Sequence, residues 1–268
     1  MLCRVFSRCV AAPLVLALCL PAYSFQATPG GAEPSVDRQK ISNGGETLHY
    51  SIEWRLIEAG RARLSWTPAQ IGGESGWQVD LLLESTGLVS KLYKVEDHYR
   101  VMLTESLCAT SSLLKANEGR RKRETRVTYD RINKKAYYLE WDLVKDAAVK
   151  QNEVAIPDCV HDVVGALAAL RAKDFDPPAS RQFPISDGKK FIEAKVEAQE
   201  KETIQTPAGS YKTIRYEAFL YNGILYSKKG RLFVWLTDDE RRMPVQIRIR
   251  LGFAVGTVTL QLEKEESS

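Results

Sequence analysis

The sequence predicts a mainly β protein: a single curled antiparallel sheet, of β-roll or half-barrel type, with one amphipathic helix packed against it. Three observations predict it. Apolar residues alternate with polar ones in run after run, as strands with one buried face require. Short turns containing Gly, Pro or Asn separate the runs, as in an antiparallel meander. One stretch, 158–173, departs from the pattern and repeats at helical spacing through Val160, Val163, Val164, Leu167 and Leu170.

Residues 1–24 read as an export signal. Arg4 and Arg8 precede an apolar run at 11–20, and Ala22-Tyr23-Ser24 supplies small residues at the cleavage positions. The apolar run is shorter than the roughly 20 residues a membrane-spanning helix needs. Cys19 raises a second reading, a lipoprotein anchor, but Leu18 stands where that motif takes a small residue. The mature product is expected in the periplasm or outside the cell. Its charge is nearly balanced: 38 Lys and Arg, less Arg4 and Arg8, leaves 36 against 34 Asp and Glu. Such a balance gives no basic footprint for nucleic acid.

Residues 25–44, rich in Gly and Pro, form a polar tether, and 45–264 form one β-rich domain. A first hairpin alternates Leu48, Tyr50, Ile52, Trp54 and Leu56, turns at Glu58-Ala59-Gly60, and resumes with Ala62, Leu64 and Trp66. A third strand follows at Trp77 to Leu83 and a fourth at Tyr93 to Leu103. Asp97 falls in the apolar phase of that fourth strand, beside Tyr99, so it is either a hydrogen-bonded anchor or part of a site. A loop with Asn117, Gly119 and the basic run 120–123 leads to strands at 125–130 and 135–144. Tyr137, Leu139, Trp141 and Leu143 share one face of the second. The basic run reads as a solvated hairpin end, with anion binding the sharper alternative.

In the helix, Asp158 stands at the N-cap position, and Pro177-Pro178 ends the segment. His161 and Asp162 are sequence neighbours, which do not face each other on a helix, so no dyad is implied. Strand patterns return at 183–185, 191–196, 202–205, 211–220 and 231–237, joined by turns at Thr206 to Gly209 and at Tyr221-Asn222-Gly223. The last stretch, 234–262, carries Trp235, then alternates Val245, Ile247, Ile249 and Leu251, and then Ala254, Gly256, Val258, Leu260 and Leu262. The acidic residues Asp238, Asp239 and Glu240 lie in the turn between its first two strands.

With Cys3, Cys9 and Cys19 removed in the leader, Cys108 and Cys159 remain, and an oxidising compartment favours a disulfide over two free thiols. No second cysteine or paired histidine stands at ligand spacing, so no metal or other cofactor is expected.

Gly45-Glu46-Thr47-Leu48-His49-Tyr50, Glu58-Ala59-Gly60, DVVGALAALR from Asp162, TPAGSYKTIRYE from Thr206 and the 234–262 stretch occur in one order. Together they resemble a bacterial exported family known as domain of unknown function 3108. The resemblance implies an envelope protein on a curled sheet and supplies no catalytic residues.

The expected function is a non-enzymatic binding or carrier module for an apolar or glycolipid-type ligand. Its concave face would use Trp54, Trp66, Asp97, Tyr99, Trp141 and Trp235. Lipid, glycolipid or an envelope protein is the expected partner, with peripheral membrane contact and no nucleic acid. Two alternatives remain: a carboxylate-dependent hydrolase using Asp97 with Asp238, Asp239 and Glu240, or a scaffold in an envelope complex. A deep apolar pocket would favour the carrier, and a polar cleft joining Asp97 to His98 or His161 the hydrolase.

Overall fold

The computed structural model of the chain describes residues 45–220, 230–250 and 256–267. The leader, the tether, the turn at Tyr221-Asn222-Gly223, Leu251 and Ala254 lie outside the described residues. The first eight strands are β1 (Glu46–Trp54), β2 (Ile57–Ile71), β3 (Glu74–Ser85), β4 (Glu96–Thr104), β5 (Ala109–Glu118), β6 (Arg121–Asp130), β7 (Lys135–Asp142) and β8 (Ala147–Ala155). Six more follow: β9 (Ser180–Ser186), β10 (Phe191–Thr206), β11 (Gly209–Ala218), β12 (Arg231–Thr237), β13 (Pro244–Arg250) and β14 (Thr257–Ser267). They make one antiparallel sheet that runs from β8 in order to β1, then from β14 in order back to β9. The first and last strands therefore pair in its middle, Tyr50 opposite Leu262 and Trp54 opposite Val258.

The sheet curls without closing, since its edge strands β8 and β9 share no ladder. Leu81 of β3 and Val234 of β12 line one cavity although β2, β1, β14 and β13 separate their strands. Strands lie ~4.8 Å apart, so a flat sheet would hold these two residues ~24 Å from each other. Short links span the gap between the sheet's two ends. Tyr129 of β6 donates to the carbonyl of Ser186 in β9, and Asn152 of β8 donates to the carbonyl of Lys189 in the following turn.

A clasp joins the same two regions through the backbone. Cys108 and Cys159 are bonded, with their Cα atoms 5.1 Å apart. Next to that bond, Ala109 of β5 donates its N–H to the carbonyl of Val160, and His161 forms a parallel bridge with Ile185 of β9. His161, expected in the first helical turn, thus pairs as a strand residue does. The helix, α2, begins only at Gly165 and ends at Ala172, where the sequence predicts 158–173. Asp162, not Asp158, serves its N-terminus, accepting the N–H groups of Val164 and Gly165. A side chain at Gly165 would place Cβ 2.5 Å from the Asp162 carboxylate and 2.8 Å from Leu103. Asp158 is exposed and pairs with Lys134.

A second helix, α1 (Gly87–Leu92), precedes β4 where one helix in all is expected. Strands β5 and β8 were not expected either. The first hairpin turns at Arg55-Leu56, both with positive φ (50° and 67°), and not at Glu58-Ala59-Gly60. Gly60 instead lies within β2, where a Cβ would stand 2.2 Å from the Glu84 carbonyl, so its role is close backbone approach.

At the far end of α2, charge is buried. Arg171 has no exposed surface; it donates to Glu46 of β1 at 2.7 Å and to the carbonyl of Arg242 at 3.1 Å. Arg242, also buried, returns a bond to the carbonyl of Arg171 and donates to the Tyr216 hydroxyl. The Arg171 guanidinium lies 4.6 Å from the centre of the Trp66 ring. This network fixes α2 to β1, to β11 and to the turn before β13.

Two predictions test these anchors. Arg171→Met leaves the buried Glu46 with only the half-exposed Arg241, at 3.2 Å, as a charged partner and is expected to destabilise the fold by about 2–4 kcal/mol, read from the urea midpoint. Adding Glu46→Leu is expected to restore part of that loss; no recovery would show that the carbonyl contacts, not the ion pair, dominate. His161 is buried and donates Nδ1–H to the Leu107 carbonyl. Burial holds its pKa down at about 4, against that bond's opposing pull. The unfolded chain therefore binds a proton from about pH 6.5, where the native state does not until about 4. This contribution is complete above pH 6.5 and lost as pH falls through the window. The stability advantage of wild type over His161→Asn should shrink by up to about 3 kcal/mol across it. A difference independent of pH would refute the assignment.

Candidate functional site

Between α2 and the concave face of the sheet lies a cavity of about 450 Å³. Its walls follow from strand alternation. In β1 the inward residues are Glu46, Leu48, Tyr50, Ile52 and Trp54; the last three line the cavity, a length of roughly 13 Å. Leu260 and Val258 of β14 stand opposite Ile52 and Trp54, and Ile247 and Ile249 of β13 continue the two rows. α2 and the turn before it close the top with Val163, Val164 and Leu167. The lining is almost wholly hydrocarbon, with Glu84 and Ser85 its polar exceptions near α1.

The cavity has one polar end and one open end. Beyond Tyr50, the Glu46–Arg171 pair and Trp66 fill the inner face. Burial drives the Tyr50 hydroxyl well above its ordinary pKa, and it donates to the Pro244 carbonyl at 2.7 Å, so it stays neutral. At the other end, α1 puts Val89 into the lining and leaves Leu88 and Leu92 in solvent. Leu56 in the neighbouring turn is 92% exposed.

Of the six residues expected to line a concave site, Trp54 lies on the cavity. Trp66 is wholly buried beneath Arg171. Tyr99 donates to Asp162 at 2.6 Å; burial, then the Asp162 charge, raises its pKa far above the ordinary value. Burial likewise raises Asp162, against the hydrogen bonds from Tyr99, Val164 and Gly165. Asp97 accepts the N–H of Asn117, and desolvation raises its pKa. Trp141 stands on the outer face of β7, its N–H on Asp146, because Ala136 and Tyr138 take the inner phase. Trp235 faces away from Val234 and the cavity; it is covered from outside by the β10–β11 hairpin, through Glu202 at 2.7 Å, and by Arg248.

The acid–base candidates do not converge. His98 binds Asp80, His161 binds Leu107, and Asp97 binds Asn117. Asp239 accepts the Thr237 hydroxyl and the N–H groups of Arg241 and Arg242, the work of a turn residue, while Asp238 pairs with Lys201. Two residues of the basic run are similarly occupied: Arg121 binds Glu118 and Glu140, and Arg123 binds Asp142. Among the described residues, no three His, Cys, Asp or Glu side chains gather to hold a metal.

Sequence reasoning found the lining of β13, β14 and α2 through its periodicity and missed the rim. A six-residue helix such as α1 is too short to show a repeat, and Arg-Leu is not a recognisable turn pair.

No curated protein matches the chain in sequence. Among solved structures, a β-barrel-like protein of the DUF1849 family from Brucella abortus superposes with a TM-score of 0.56 at 8% identity, over 85% of this chain and 99% of that one. That likeness is one of fold. A lipoprotein candidate from Parabacteroides distasonis gives 0.38 at 12% identity over 84% and 97% of the two chains. An exported-protein candidate of YmcC-like fold from Bacteroides fragilis gives 0.37 at 9% over 85% and 98%. A family model, described as protein of unknown function DUF3108, matches residues 49–263, and the chain belongs to that family.

Proposed function

We propose that this protein is an extracytoplasmic, non-enzymatic binding or carrier module for an apolar chain, such as the acyl chain of a lipid or glycolipid. The cavity between the sheet and α2 carries the reading. Its volume of about 450 Å³ falls in the range of small-molecule sites, roughly 300–1,000 Å³. Its lining offers almost no hydrogen-bonding group to a polar ligand or to a chain of ordered water. An apolar chain entering it exchanges water contacts for dispersion contacts on all sides. The leader sequence and the Cys108–Cys159 bond support a location outside the cytoplasm.

Displacement of an apolar fluorophore by dodecanol tests the proposal. Saturable binding by the wild type is expected. Leu260→Trp fills the middle of the cavity and should weaken binding by about tenfold or more, with thermal stability unchanged or raised, since a void is filled. Absence of saturable binding in the wild type, or equal binding by the variant, would overturn it.

A further inference from the structure

At the open end of the cavity, β13 ends in Arg250 and β1 is followed by Arg55. On the inner face, Trp54, Val258 and Ile249 form the last lining row of β1, β14 and β13. The next row toward the rim faces outward and holds Arg55, Thr257 and Arg250, with Arg55 N–H bonded to the Thr257 carbonyl. Below it on the outer face lie Glu53, Thr259 and Arg248. These two rows line a second, polar concavity of about 820 Å³. Among the described residues, its lining carries the side chains of Arg55, Arg248 and Arg250 and one carboxylate, that of Glu53.

Two of the arginines lie over aromatic rings. Arg248 lies 5.0 Å from the Trp235 ring and Arg250 lies 5.4 Å from the Phe233 ring. Elsewhere on this face charge is matched: Arg231 grips Glu217 at 2.6 Å, and Arg215 binds Glu200 at 2.8 Å. Among the described residues, no carboxylate stands within ion-pair distance of Arg248 or Arg250. Burial, then the neighbouring Arg250 charge, lowers the pKa of Arg248. An anion between them would relieve that repulsion.

The rim itself is shaped for the same purpose. Arg55 and Leu56 both occupy the left-handed region, where Asn-Gly would sit at less cost, so the turn sets two large side chains at the mouth against local preference. The Arg55 guanidinium rests 5.5 Å from the Trp54 ring. Gly256 lowers the rim beside it, because a Cβ there would stand 2.7 Å from Arg55 Nε.

The geometry points to an anionic amphiphile as the ligand, its chain in the cavity and its phosphate or carboxylate headgroup held at the rim by Arg55, Arg248 and Arg250. This rests on the cavity reading above. Guanidinium forks match both headgroups; the inward Trp54 row and the outward Arg55 row are adjacent along the strand, ~3.3 Å apart, so the ligand would turn over the strand end between the two faces.

Wild type is titrated with dodecyl phosphate, dodecanoate, dodecanol and inorganic phosphate. Both charged amphiphiles should bind about tenfold or more tighter than dodecanol, with inorganic phosphate far weaker alone. The preference should shrink at about 0.5 M salt and collapse in Arg248→Gln/Arg250→Gln, while dodecanol affinity holds. Dodecanol binding as tightly as dodecyl phosphate to the wild type would overturn the headgroup site and leave the cavity standing. Failure of every amphiphile would remove the cavity reading and this inference with it. Inorganic phosphate binding as tightly as dodecyl phosphate would mark a free-anion site unconnected to the cavity, and would also overturn it.

Discussion

The buried pair of Arg171 and Glu46 is the constraint on which the rest depends. Neither side chain reaches solvent, and removing a guanidinium and a carboxylate from water is unfavourable unless nearly every donor and acceptor is matched. Matching is achieved here only when β1, α2 and the turn before β13 meet at one place, because Arg171 uses Glu46 and the carbonyls of Arg241 and Arg242 together. A hydrophobic contact of the same area would tolerate sliding; a forked hydrogen-bond network does not. The pair therefore sets where α2 sits more firmly than it adds stability.

That position leaves a space. α2 is pinned at its C-terminal end by the arginines and at its approach by the Cys108–Cys159 bond and the bridge of His161 to β9. Held at both ends, it cannot sink onto the strands beneath its middle, where Val164 and Leu167 face Ile52, Leu260 and Ile247 across the cavity. A void lined by hydrocarbon forfeits dispersion contacts that a collapsed core would make. The fold keeps that void because its polar anchors are stronger constraints than the attraction across it. A chain that fills it recovers those contacts with no rearrangement of the anchors, so the free energy is available to binding.

Much of this was legible in the sequence, and the exceptions have physical causes. Alternation identified β1 to β4 and β12 to β14, since one face of each is buried. β8 escaped because it is a sheet edge with seven of its nine residues exposed, so neither face carries an apolar signal. β5 escaped because three of its buried positions, Ala109, Ser112 and Ala116, carry small residues. The phase of β7 was misleading: Tyr137, Leu139 and Trp141 are the larger apolar residues but lie outside, while Ala136 and Tyr138 suffice within. The helix was found and over-extended, because the Val160 and Val163 spacing suits a helix although Val160 is taken by β5. Arg171 gave no warning, as a basic residue in a last helical turn is an ordinary partner of the helix dipole.

The acidic turn before β13 shows how chemistry-bearing residues can serve architecture. Asp238, Asp239 and Glu240 invite a catalytic reading by type alone. Asp239 instead gathers the Thr237 hydroxyl and two backbone N–H groups, and so stabilises a turn in which Arg242 takes a positive φ of 46°. A bulky residue holds that angle only when its surroundings over-determine it. They do here, for the Arg242 guanidinium is the one that meets Tyr216 and the Arg171 carbonyl. The carboxylate thus acts on the cavity at one remove: it shapes the turn, the turn aims Arg242, and Arg242 with Arg171 fixes the helix that roofs the ligand space.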